Sequence, residues 1–239
     1  MCERCDEAAL ARRSFLGLAA GAAASLMLPR AGFAAAKVKP KPENVLTPDA
    51  ALARLMKGNA RYVAGNSTRH DFRHQREALV QGQNPFAGIL SCADSRIVPD
   101  YTFDTGRGDL FVCRVAGNFA DDESIASFEY GVAMLGVPLL FVLGHKSCGA
   151  VDATIKSIKE GTTLPGHLPS LVTALTPAVK AAMAEPGNLL DNAIRENVKM
   201  NVEKLKTATP IIASAVGEKK VRVVGGVYNL DSGKVEVVG

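Results

Sequence analysis

The sequence predicts an α/β domain with a mainly parallel central sheet flanked by helices. Three observations carry that reading. The runs Phe86–Leu90, Leu110–Val115 and Leu139–Leu143 are largely continuous in apolar residues rather than alternating, as in strands covered on both faces. Helical patterns alternate with them, which is the order of βα units. Chemistry-bearing residues follow the first and third runs at once, where parallel sheets gather ligands beyond their carboxyl ends.

The elements follow in chain order. Ala11-Arg12-Arg13-Ser14-Phe15-Leu16 is a twin-arginine pattern, and a weakly apolar run from Leu16 to Leu28 comes after it. Arg30 then precedes Ala34-Ala35-Ala36, an A-x-A-type cleavage site. Residues 1–36 therefore read as an export signal, too short and too weakly apolar in its run to span a membrane. Its removal would leave 24 basic and 21 acidic residues, a net charge of +3, in a periplasmic or secreted protein with no stable membrane anchor. The twin-arginine route carries folded proteins, so any cysteine site in the domain can be filled while its thiols are still reduced.

Residues 37–46 read as a basic, Pro-rich extended arm, and 47–239 as one folded domain. Thr47-Pro48-Asp49 opens a helix, with Leu52, Leu55 and Met56 at helical spacing and a stop near Gly65-Asn66. A polar helix, Phe72–Gln81, ends at Gly82. Between the second and third strands, Asp121–Leu135 carries Ile125, Phe128, Val132 and Leu135 on one stripe. Helical patterns resume over Val151–Lys159, Leu168–Met183, Leu189–Lys206 and Thr209–Val216. Val221–Tyr228 and Lys234–Val238, around Asp231-Ser232-Gly233, read as a strand and a hairpin.

A chain of 239 residues with 47% hydrophobic content can bury one substantial core. Charged residues make up 22% with a net charge of +4, and no basic cluster adjoins aromatic residues, which argues against a nucleic-acid partner. Five Cys in a chain this long are not a disulfide framework, and Cys2 and Cys5 fall in the segment expected to be removed.

Cys92, His145 and Cys148 carry the chemistry. Taken alone, His145-x-x-Cys148 is a weak signal, because a His near a strand end is usually a hydrogen-bonded structural residue. A buried Cys is usually a small hydrophobe, and Cys113, inside a strand run, fits that description. The case changes when two thiols and an imidazole emerge together at strand ends. Such a set suits Zn²⁺ and leaves a fourth tetrahedral position open, which separates a catalytic site from a structural one. Asp94 and Arg96 add a carboxylate and a guanidinium beside it.

These residues resemble the β-class carbonic anhydrases. Cys92-Ala93-Asp94-Ser95-Arg96 is similar to the C-x-D-S-R motif of that class, and His145-Lys146-Ser147-Cys148-Gly149-Ala150 to its H-x-x-C-G-A motif. The similarity extends through Gly108–Val112, Arg114, Ala116-Gly117-Asn118, Glu129-Tyr130, Glu196-Asn197-Val198 and Gly226-Val227-Tyr228. The resemblance implies Cys92, His145 and Cys148 as ligands of one zinc per subunit, with Asp94 and Arg96 as a catalytic dyad. Asp94 would itself join the metal only in a closed state. It implies Gln83, Phe111 and Tyr130 as substrate-pocket residues, some supplied across a subunit interface of a homodimer or higher homo-oligomer. Read without it, Gln83 is a turn residue and the two aromatics are core. Val115 stands where this class often has Asn, and the lack of Trp removes an aromatic that some members use in a non-catalytic bicarbonate site.

The implied activity is reversible hydration of CO₂ to bicarbonate and a proton. Three rivals stand beside it: hydrolysis of CS₂ or COS at the same centre, a non-catalytic zinc or bicarbonate-binding protein, and a cysteine nucleophile using Cys92 with His145. The last leaves Cys148 unexplained, and the binding protein leaves Asp94, Arg96 and Gln83 unexplained.

Overall fold

The computed structural model describes residues 45–238. The expected signal segment 1–36 and nearly all of the arm 37–46 lie outside the described residues. Helix α1 (Pro48–Val63) starts as the sequence predicts, with Thr47 Oγ1 accepting from the Ala50 N–H at 3.2 Å. Helix α2 (Phe72–Ala78) stops short of Gln81 and buries no residue, since its sequence offers no apolar stripe to anchor a last turn. Then come β1 (Ala87–Ser91), α3 (Pro99–Thr102), β2 (Leu110–Arg114), α4 (Asp122–Leu135), β3 (Leu139–His145) and α5 (Gly149–Glu160). The chain closes with α6 (Leu168–Ala182), α7 (Leu189–Lys206), α8 (Ile211–Gly217), β4 (Arg222–Tyr228) and β5 (Val235–Val238). The four-residue α3 carries no periodicity, and nothing in the sequence announces it.

The five strands form one sheet in the order β2-β1-β3-β4-β5, all parallel except the last pair, which is antiparallel. The expected mainly parallel sheet is the observed one. β1 and β3 are buried along their whole length, as continuous apolar strands should be. β2 is not. It is an edge strand whose burial alternates, and Val112 is 36% exposed, so the reading of two covered faces fails for this run. The chain runs from β1 out to β2 and then returns to the other side of β1 for β3. The β1/β3 boundary is therefore the topological switch point, where α/β sheets open a crevice for ligands.

One core lies on each face. Leu90, Leu140 and Val142 meet α4–α8, while Ile89, Leu139, Phe141 and Leu143 meet α1 and the α3 segment. Helix α7 lies hard against the sheet. A Cβ at Gly144 would sit 2.6 Å from Val198 Cγ2, and one at Gly225 2.4 Å from Val198 Cγ1. Glycine at both positions lets the helix approach β3 and β4 closely, and this fixes the height of its polar residues relative to the strand ends.

Candidate metal centre

Cys92 follows the last residue of β1, His145 ends β3, and Cys148 is the N-cap of α5. Because β1 and β3 are neighbours paired from Gly88↔Leu140 to Ser91↔Leu143, their carboxyl ends deliver the three side chains to one place. The donor atoms lie within 4.8 Å of one another, and all three residues are buried. This set is able to hold a metal ion.

The surroundings prepare it for one. His145 Nδ1 lies 2.8 Å from the Lys146 carbonyl oxygen, which can only accept, so the proton sits on Nδ1. Nε2 is left with its lone pair, fully buried and with no hydrogen-bond partner, at a cost that a cation would remove. The thiols tell the same story. The neighbouring Cys148 thiol holds the Cys92 pKa down to about 4, with His145 and the Gly117 N–H adding to the effect. Cys148 is pushed up in turn by the Cys92 thiolate and by burial, despite the N–H groups of Val151 and Ala150 at the start of α5. Two buried thiols this close keep one proton between them. Only a cation lets both ionise, and its binding would expel that proton.

Asp94 and Arg96 stand beside the triad as a bidentate pair. Arg96 Nε donates to Asp94 Oδ1 at 2.9 Å and Nη2 to Oδ2 at 2.7 Å, and the Arg96 backbone N–H adds a third bond at 2.9 Å. Chiefly through the guanidinium, this holds the carboxyl well below the usual carboxylate range. Asp94 Oδ2 is 3.9 Å from His145 Nε2, too far for a hydrogen bond but next to the place where the three donors converge. Arg96 Nη2 also donates to the Ser147 carbonyl at 3.3 Å, stitching the two motif loops together across the switch point. Ser147 has φ 55°, a left-handed turn that lets His145 and Cys148 face the same point.

Two features of the centre lie beyond the sequence reading of the site. Arg114, at the end of β2, donates to the carbonyls of Cys92 (2.9 Å), Asp94 (2.7 Å) and Ile97 (3.0 Å), and so holds the first motif loop in shape. The N–H of Gly117 donates to Cys92 Sγ at 3.3 Å. Within one chain, the three expected pocket residues do not join the triad. Gln83 is exposed in the loop ahead of β1, at the end of that strand opposite Cys92. Phe111 pairs with Gly88, three rungs before the Ser91↔Arg114 pair, which is about 10 Å toward the amino end. Tyr130 is 51% exposed on α4, with its ring 6.3 Å from that of Phe111. Cys113 stays apart as a half-buried free thiol whose pKa burial pushes up.

Fold and site together describe an α/β enzyme with a three-donor metal centre at the switch point of its sheet. The comparisons make that specific. The carbonic anhydrase family model matches residues 87–235. The carbonic anhydrase of Mycolicibacterium smegmatis is 37% identical over 191 residues, covering 80% of this chain and 93% of its own. Carbonic anhydrase 2 of Mycobacterium tuberculosis is 37% identical over 189 residues, covering 78% and 91%. Among solved structures, the β-carbonic anhydrase CcaA aligns with a TM-score of 0.60 at 28% identity, over 79% of this chain and 95% of that one. The chain belongs to the carbonic anhydrase family, and it is a carbonic anhydrase of the β class.

Proposed function

We propose that the protein is a zinc-dependent enzyme for the reversible hydration of CO₂ to bicarbonate and a proton, with Cys92, His145 and Cys148 as the metal ligands. The observation that carries this is the buried Nε2 of His145, unpartnered and facing two thiols, with an ionised Asp94 held just outside the group. Zn²⁺ bound there would supply Lewis acidity, lowering the pKa of a water and readying it to attack an electrophilic carbon. The chain's own residues do the rest. The Lys146 carbonyl fixes the His145 tautomer, and Arg96 keeps Asp94 charged and turned aside, where it can accept and return a proton. Cys92 and Cys148 bring two negative charges, and the helix start at Gly149 helps to hold the second.

Gln83, Phe111 and Tyr130 enter this reading as the pocket that a second copy supplies. Exposed Tyr130 and Met134, one turn apart on α4, form an apolar surface suited to a homo-oligomer. The Arg12-Arg13 leader supports export to the periplasm or beyond the cell. Among the described residues, no helix is long and apolar enough to cross a membrane. The test is zinc content and CO₂ hydration measured on one purified sample, with CS₂ and COS assayed alongside. About one zinc per chain together with CO₂ turnover supports the proposal; a metal-free active sample, or turnover of CS₂ or COS alone, refutes it.

A further inference from the structure

Helix α7 carries two buried asparagines one turn apart on its otherwise apolar inner face, Asn197 (3% exposed) and Asn201 (7%). Neither touches the metal donors. Asn197 Nδ2 donates to the Gly117 carbonyl at 2.8 Å. Asn201 Nδ2 donates to the Asn197 backbone carbonyl at 2.8 Å and to its Oδ1 at 2.9 Å, while Asn201 Oδ1 accepts from the Ala120 N–H at 2.7 Å. Lys204 adds a bond to the Ala120 carbonyl. Asn197, Asn201 and Lys204 thus each bond the loop from Gly117 to Ala120, and Asn201 also braces Asn197. That loop is also unusual in its backbone, with φ 89° at Gly117 and 42° at Asn118. It reaches the centre through the Gly117 N–H, which donates to Cys92 Sγ at 3.3 Å.

We infer that Asn197 and Asn201 are positioning residues for the metal centre, acting through the Gly117 peptide to set how much charge Cys92 gives to its metal. The inference rests on the zinc proposal above. A strand-end thiolate needs a donor aimed at its lone pair, and a loop in a left-handed conformation will not keep one there unaided. Two side chains from a helix pinned to the sheet by Gly144 and Gly225 hold the loop from outside. An N–H on the thiolate draws off charge, so losing it makes the sulfur a stronger electron donor.

The experiment uses the full protein reconstituted with Co²⁺, whose sulfur-to-cobalt absorption reports the energy of the thiolate electrons. Asn197→Leu should move that band to longer wavelength, with Asn201→Leu shifting it the same way but less. Each variant should also release Zn²⁺ to a chelator about tenfold faster than wild type, because a sulfur no longer held in place by the Gly117 N–H leaves the metal more readily despite its greater donor strength. Leu205→Ala, which loosens the same helix at a buried core position one turn beyond Asn201, should leave both readings at wild-type values. A folded Asn197→Leu protein with unmoved band and release rate would overturn the inference, as would Leu205→Ala reproducing the shift. Should Asn197→Leu fail to fold, Asn201→Ala is judged by the same criteria. A wild type that binds Co²⁺ without any sulfur-to-cobalt band would refute the metal ligand set itself, a separate outcome.

Discussion

Removing the Arg96 side chain tests the dyad most directly. In Arg96→Ala, Asp94 loses two charge-assisted bonds, of 2.9 and 2.7 Å, and keeps only the backbone N–H of residue 96. The Arg96 side chain is 51% exposed, so solvent screens these bonds, yet they are what holds the carboxylate turned aside, and their loss shifts the balance toward one free to swing. Since Asp94 Oδ2 already lies 3.9 Å from His145 Nε2, the freed carboxylate has a short path into the metal's fourth position. CO₂ hydration should fall by about 10- to 100-fold with the zinc retained. The pH profile adds a second reading. Two thiolates neutralise the charge of Zn²⁺, so water ionises less readily than at a three-histidine site, where its pKa is about 7, and wild-type activity should climb above roughly pH 7.5. Asp94 is held below the ordinary value of 3.8, so its stabilising pair is intact above about pH 4 and disappears only as pH falls through the lowered value. The stability gap between wild type and variant should accordingly narrow in acid. Stopped-flow hydration from about pH 6 to about pH 9, with zinc analysis of each sample, decides the matter. A flat wild-type profile, or a variant with undiminished rates, would refute the idea that this dyad governs access to the metal.

Three other outcomes are expected. Cys148→Ser should lose most of its zinc together with its activity, and full occupancy by elemental analysis would remove Cys148 from the ligand set. Changing both Arg12 and Arg13 to Lys should leave folded, active protein in the cytoplasm, and cell fractionation that finds mature protein starting near Lys37 outside the inner membrane would point to another route. Asn59, 3% exposed, donates to the carbonyls of Thr102 (3.0 Å) and Gly233 (2.9 Å) and accepts from the Val235 N–H (2.9 Å). Asn59→Ala leaves those three groups unpaired between α1 and the terminal hairpin. Unfolding in urea should show a loss of about 2–4 kcal/mol, and a loss below about 1 kcal/mol would mean that water replaces the side chain.

The candidate donor set was legible because each part of it is local. Cys92-Ala93-Asp94-Ser95-Arg96 and His145–Ala150 are contiguous, and each abuts an apolar run whose continuity marks a buried strand. The parallel sheet followed from the same runs. What the sequence withheld depends on neighbours rather than on pattern. Leu110–Arg114 looks like β1 and β3 in composition, yet it is the edge strand, and only the order β2-β1-β3 decides that. Gln83, Phe111 and Tyr130 read as pocket residues by resemblance, but the register sets Phe111 well back from Arg114 and leaves Tyr130 exposed, so within one chain they do not reach the donors.

The support of the centre is non-local, and one signal for it was present. Along α7 the apolar stripe of Ile194, Val198, Val202 and Leu205 is interrupted by Asn197 and Asn201, one turn apart and on the same buried side. Asparagine is a poor helix former, and burying its amide is costly unless every polar atom finds a partner. Two such residues on a core-facing stripe therefore announce a backbone that needs holding, though not which one. Only the fold identifies it as the Gly117–Ala120 loop, far earlier in sequence and brought under α7 by the close approach at Gly144. The donors of a metal site are chosen by their own chemistry and can be read as a motif. The groups that aim and tune those donors are chosen by what the fold leaves within reach, and here they come from a helix with no ligand of its own.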